Sequence, residues 1–389
     1  MILEEMQKRI KIEILSIKGK IRPSKCSGEL WKKIEETTEF LDKDASRVER
    51  IHCILSGFSK LQMCQYCGLN PVKFHAALKG YSETCSKKCA GLLQNNKKGL
   101  VIDFIRNLYD GEIIKNTKIP LELDIYLPEK NFGVEFNDTY QHSYNRKETK
   151  EERKSHLKKT EECEVLGIHL LQIFSHEWED KKKRDIWKSI IRNKLGKNKE
   201  KIYGRKTKLK VIEKGDKNLR KEAKKFLDDN HLQGHVYSSM AIGLYYNDEL
   251  VSLMTFGKSR FNKNYDFELV RFCSKKNTSV IGGARKIYKY FNSLVGINRI
   301  VSYADRRFSN GNLYEVLEME KKKTSKPNYF YRSKNGEISS RVAFQKHKLE
   351  KKLEKFSEKL TESENMFINS FRRFWDCGNL VFGTKGERV

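Results

Sequence analysis

Two stretches decide how this chain is read: Glu122-Leu123-Asp124-Ile125-Tyr126-Leu127-Pro128, and a few residues later Val134-Glu135-Phe136-Asn137-Asp138-Thr139-Tyr140-Gln141-His142. Side chains alternate across a strand, so Glu122 and Asp124 share one face of the first stretch, and a neighbouring strand can set Glu135 beside Asp124. Two carboxylates converging at a sheet edge suit Mg²⁺, which takes oxygen ligands and keeps waters that can be deprotonated to attack a phosphodiester. Asp124, Glu135 and Glu122 are therefore the expected acids of a catalytic Mg²⁺ site. No lysine stands two residues after Glu135, where Asn137 is found; His142, or His156 and Lys159 further on, can supply the general base or a stabilising charge.

Working outward, residues 113–114, 121–127 and 132–136 are short apolar runs punctuated by Pro120, Pro128 and Gly133, the pattern of a small sheet. Upstream, residues 101–109 carry Ile102, Ile105 and Leu108 at helical spacing. Downstream, a charged helix is expected over 147–166 with Gly167 as its stop, and residues 168–174 read as a buried strand. The order helix, three strands, helix, strand predicts an α/β core over residues 96–195.

In front of that core, Cys64-Gln65-Tyr66-Cys67 and Cys85-Ser86-Lys87-Lys88-Cys89 set out two close pairs of thiols. Tetrahedral Zn²⁺ takes four such ligands, and a site closed by four protein sulfurs is structural, with no open position for a reacting water. Residues 61–95 are thus expected to be a four-cysteine zinc knuckle in which Gly68 permits the tight turn. His75, between the pairs, reads as an exposed or packing residue. Residues 1–60 read as helical.

The chain has 389 residues, too many for one ordinary core, and its formal charge is +28. Such an excess makes a polyanion the natural partner, and double-stranded DNA is the expected one. No apolar run approaches the roughly 18 residues that span a bilayer, and the first 20 residues mix charge with hydrophobe, so neither membrane nor signal peptide is expected. Nine cysteines, an odd number with four in two pairs, suit a reducing cytoplasm. Between 181 and 225 there are 20 Lys+Arg against 5 Asp+Glu. A one-sided excess of this size repels itself unless an anion offsets it, so Lys181, Lys182, Lys183, Arg184, Arg205, Lys206 and Lys208 are expected to meet phosphates, with 196–217 as a basic linker.

A second α/β unit is expected over 218–335. Residues 241–246 and 249–256 are strand-like around the turn signal Asn247-Asp248, residues 267–273 form another strand, and Gly282-Gly283 opens a helix. A strand over 299–304 and a helix over 312–317 follow. Arg306, Arg307 and the aromatic run Tyr329-Phe330-Tyr331 combine charge with ring faces, which suits nucleic-acid contact. Residues 336–389 read as a basic helical tail.

The stretch from about residue 100 to 195 resembles the Vsr-like endonucleases of the PD-(D/E)XK class, which include mismatch-nicking repair enzymes and the phage homing endonucleases of the E-D-x-H-D pattern. The resemblance implies that Asp124 is the metal-binding aspartate and that Glu135 and the backbone carbonyl of Phe136 lie where a second metal contact is supplied. It also matches His142 to the histidine that ends an aromatic-Trp-His signature, and the run 166–174 with Glu177-Trp178 to the closing helix, strand and tryptophan. Residues 218–335 look like a GNAT acyltransferase fold of the Mom type, with Gly282 and Ala284 as its small residues. Three readings follow: a Mg²⁺-dependent DNA endonuclease of homing type, a DNA-modifying acyltransferase, and a non-catalytic DNA-binding protein with a degenerate nuclease core.

Overall fold

The computed structural model describes residues 2–14, 21–64, 67, 69–76, 80–117, 122–139, 143, 149–296 and 299–384. Three short helices, α1 (Ile2–Glu13), α2 (Gly28–Thr37) and α3 (Arg47–Ser56), take up the N-terminal part. Ser27 and Ser46 cap the last two by accepting the N–H of Leu30 and Glu49. Met6 and Ile10 of α1 and Ile14 just after it recur every four residues and close a small core with Leu30, Ile34, Ile51 and Ile54, while Ile12 points outward at 82% exposure. The hairpin β1 (Phe74–Ala76) and β2 (Gly80–Tyr81) follows, then the long helix α4 (Lys87–Arg106). The helix expected over 101–109 is the end of α4.

The next strands are β3 (Ile114–Thr117), β4 (Leu123–Leu127), β5 (Phe132–Asn137) and, after helix α5 (Ser155–Val165), β6 (His169–Phe174). They form one sheet in the order β3-β4-β5-β6, antiparallel except for the β5–β6 pair, which α5 joins as a crossover. Helix α5 is shorter than the expected 147–166, and residues 147 and 148 lie outside the described residues. Its stop is as expected: Gly167 has φ +70, and Ile168 and Gly167 donate to the carbonyls of Cys163 and Glu164, a left-handed closure that suits glycine. Helices α6 (Ser175–Glu179) and α7 (Lys181–Lys194) then send Trp178, Ile186, Trp187 and Ile191 into a core shared with Val101, Ile105, Ile125, Val134 and Leu171.

The segment expected as a linker, 196–217, is paired strand: β7 (Glu200–Tyr203) and β8 (Lys208–Ile212). Ile202 and Ile212 are buried, and alternating lysines face water, so charge counted along the chain concealed a strand period. Helix α8 (Lys217–Asn230) and strands β9 (Met240–Tyr246), β10 (Glu249–Lys258), β11 (Phe267–Ser274) and β12 (Thr278–Ile281) come next. Asn247 and Asp248 both adopt positive φ in the two-residue turn between β9 and β10, as their residue types predict. Helix α9 (Gly283–Val295), β13 (Ile300–Asp305), α10 (Asn312–Val316) and β14 (Glu320–Thr324) follow.

Nor is the expected tail, 336–389, helical throughout over its described residues, 336–384. It holds β16 (Ile338–Ser340), which pairs with the preceding β15 (Tyr329–Arg332), two short helices α11 (Lys346–Leu349) and α12 (Glu362–Ile368), and strands β17 (Arg372–Trp375) and β18 (Asn379–Gly383). The largest sheet runs in the order β14-β18-β13-β11-β10-β9-β8, with β11 and β13 paired in parallel; β7 and β12 pair apart from it. By contacts the chain divides into two units, one of Met1–Leu100, Asp138–Glu152 and Tyr329–Phe374, the other of Val101–Asn137, Arg153–Asn328 and Trp375–Val389. The four- and seven-stranded sheets thus belong to a single unit, where the sequence suggested two separate domains. Among the described residues no helix is long and apolar enough to cross a membrane.

Candidate active site and metal centres

Backbone pairing of β4 with β5 runs through Leu127↔Phe132, Tyr126↔Gly133 and Ile125↔Val134. One residue further on, side chains bridge the strands. The Phe136 N–H donates to Asp124 Oδ2 at 2.8 Å, and the Asp124 N–H reaches Glu135 Oε2 at 3.3 Å. The two carboxylates are thereby fixed beside one another on the face turned away from the apolar core, since Ile125, Val134 and Phe136 point the other way. Lys159, one turn into α5, donates to Glu135 Oε1 at 2.6 Å. Burial, and after it the charge of Asp124, pushes the Glu135 carboxyl above its ordinary range, while Lys159 pulls it down. Asp124 and Glu135 supply oxygen donors of the kind Mg²⁺ takes, and a cation there would relieve their repulsion.

Behind the pair lies a buried polar hub. Gln172, opposite Glu135 in the parallel β5–β6 register, is fully buried; its Oε1 accepts from Asn137 Nδ2 at 3.1 Å, and its Nε2 donates to the His156 carbonyl and to Thr160 Oγ1, both at 2.7 Å. This locks α5 to the sheet and sets Lys159, the residue before Thr160, over Glu135. His156 is buried, with Nδ1 2.6 Å from the Trp375 carbonyl and its ring against Phe174, so it anchors α5 and is not presented as a base. Glu122 stands exposed just before β4. His142, with Tyr140 and Gln141, lies outside the described residues. Asn137, Thr160 and Gln172 were given no role from sequence; the signal was a glutamine inside the apolar run Leu170-Leu171-Gln172-Ile173-Phe174.

The four expected cysteines converge. Sulfurs of Cys64, Cys67, Cys85 and Cys89 all lie within 4.8 Å of one another, with Cys67–Cys85 at 3.8 Å and Cys85–Cys89 at 3.6 Å. Tetrahedral zinc with sulfurs about 2.3 Å away requires sulfur separations of about 3.8 Å, so the cluster has the size of a structural zinc site. The N–H groups of Leu69 and Asn70 hold the Cys67 thiol below its usual range, which favours the thiolate that zinc binds. His75 is exposed and bonded to Ser82 Oγ at 2.6 Å, outside the set.

Of the basic residues singled out, Lys181, Lys182, Arg205, Lys206 and Lys208 are exposed, and Lys183 and Arg184 are half-buried. Lysines in the first turn of α7 oppose its dipole; Asp180, which accepts the Lys183 N–H, offsets part of that, and an external anion would offset more. Arg306 and Arg307 are turned inward instead, each only 3% exposed. Arg306 pairs with Glu164 at 2.7 Å and Glu161 at 3.4 Å, and Arg307 with Asp305 and Glu177 at 3.0 Å each. They hold the unit together and are not offered to a phosphate backbone.

No protein-family model matches the chain, and no curated protein matches it.

Proposed function

We propose that the chain is a metal-dependent endonuclease of duplex DNA, Vsr-like in its four-stranded core. The observation that carries this reading is the carboxylate pair Asp124 and Glu135 at the point where β4 and β5 stop pairing, with Lys159 on Glu135. Asp124, Glu135 and the Phe136 carbonyl would hold Mg²⁺, which supplies a bound water acidic enough to become the nucleophile. Lys159 opposes the rise of the Glu135 carboxyl and takes up the role of the lysine missing at Asn137. The zinc knuckle and the exposed lysines of α7 and β8 serve binding. The test is deep sequencing of cut ends after incubating the chain with a randomised duplex library, with Mg²⁺ and with EDTA. Cuts at a recurrent site with Mg²⁺ alone, absent for Asp124→Ala, are the expected result; equal ends in every arm would refute the reading.

A second reading, a GNAT-like acyltransferase, is favoured by the largest sheet, whose parallel pair β11 and β13 is joined through α9 with Gly282 in the left-handed region at its start. A pyrophosphate would need the backbone N–H groups there. Gly204 lies against the same turn, however; a Cβ on it would stand 3.1 Å from the Gly283 nitrogen and from the Ile281 oxygen. We therefore place acyl transfer second, and acetyl-CoA binding by calorimetry separates the two.

A further inference from the structure

Away from the carboxylate pair, a hollow of about 420 Å³ opens in the first unit between α1, α3, the β15–β16 turn and the segments around 352–355 and 368–371. Four lysines line it, Lys11, Lys334, Lys352 and Lys355, against two carboxylates, Glu337 and Glu354; the rest of the wall includes Ile21, Leu55, Leu353, Ile368 and Phe371. Glu354 is taken by Lys11 at 3.2 Å, and Lys352 donates to the Ala343 carbonyl. The remaining two ammonium groups, Lys334 and Lys355, form no ion pair among the described residues. Lys334 is half-buried, and its Nζ donates to Ser56 Oγ at 2.6 Å and lies 3.4 Å from His52 Nδ1, over the face of Phe58, with no carboxylate among these contacts. Lys355 is also half-buried and makes no side-chain hydrogen bond or ion pair among the described residues. Burial draws both below the ordinary lysine range, Lys334 to about 8; at Lys355 the Glu354 carboxylate offsets part of that effect and Lys11 adds to it. Withdrawing two ammonium groups from water with no ion-pair partner in direct contact is unfavourable, and an anion entering the hollow reduces that penalty.

We propose that this hollow binds one nucleotide unit, its phosphate on Lys334 and Lys355 and its sugar and base against the apolar wall. A bare phosphate would leave most of the space unfilled, whereas the volume is in the range that small organic ligands fill. The unit is a free nucleotide or one residue of a nucleic-acid strand, and the inference stands whether or not the chain cuts DNA.

The experiment is calorimetric titration of the full chain with AMP, adenosine, and a hexamer of deoxyadenylate with and without a 5′-phosphate. AMP is expected to bind roughly tenfold or more tightly than adenosine, the loss expected for charge-assisted hydrogen bonds. Lys355→Met should remove that advantage while zinc content and melting temperature stay as in the wild type; Lys334→Met should do the same, and Lys355→Met decides if the Lys334 variant fails to fold. Lysine-dependent binding of the hexamer without AMP binding assigns the site to a strand, and AMP binding assigns it to a free nucleotide. Adenosine binding as tightly as AMP, AMP affinity unchanged in a folded Lys355→Met, or no binding of any of these probes would overturn the proposal.

Discussion

Asp124 accepts a backbone N–H and, in the proposed site, would also hold a cation, so its replacement separates structure from chemistry. Asp124→Asn keeps an oxygen that can accept the Phe136 N–H and removes a charge that raises its neighbour. Cleavage should be abolished while the urea midpoint holds or rises, and an active Asp124→Asn would sink the assigned site. Lys159 acts through Glu135. Lys159→Met removes the influence that lowers the Glu135 carboxyl, leaving burial and Asp124 to raise it further. Since the proposed metal would need Glu135 ionised, the acid limb of the pH–rate profile should move to higher pH in this variant, with the plateau partly recovered above it. An acid limb that stays in place would remove Lys159 from the site. The carboxylates were legible in the sequence because strand alternation places them, but the contact of Lys159 with Glu135 was not. It depends on where along the sheet α5 is fastened, and Gln172, buried and remote in sequence from Glu135, fastens it.

At the scale of elements, regular periods were readable and isolated charges were not. The Asn247-Asp248 turn and the Gly167 stop follow from residues whose backbone preference is local. The strand β8 was missed because its exposed lysines dominate a count of charge, although Leu209 and Val211 alternate with them. Arg306 and Arg307 were misread for a related reason: a basic pair looks the same in sequence whether it faces phosphate or acid, and Glu161, Glu164 and Glu177 lie far upstream. Arg307→Met would leave Asp305 and Glu177 buried together without a cation. Breaking such a buried pair costs about 3–5 kcal/mol, so the urea midpoint should drop sharply while the salt dependence of DNA binding in the folded protein is unchanged. A stable Arg307→Met with weakened DNA binding would return this residue to the surface role the sequence suggested.

For the whole molecule the governing quantity is charge, and the net +28 is concentrated between 181 and 225. A folded unit with that excess gains from any polyanion, but only side chains free to approach one contribute to binding. The structure sorts them. Lys182 is partly engaged by Asp229 at 3.5 Å, whereas Lys206 and Lys208 are exposed with no ion pair among the described residues. Each lysine that displaces a counterion from duplex DNA adds close to one to the slope of log affinity against log salt. Lys206→Gln with Lys208→Gln should therefore flatten the slope by about two. Lys182→Gln should change it by less, because Asp229 already neutralises part of its charge. An unchanged melting temperature in every variant is the control for folding. Fluorescence anisotropy with a duplex across a range of NaCl concentrations gives the slopes. A slope unmoved by the double substitution would assign Lys206 and Lys208 to solvent and shift the proposed DNA interface to the start of α7.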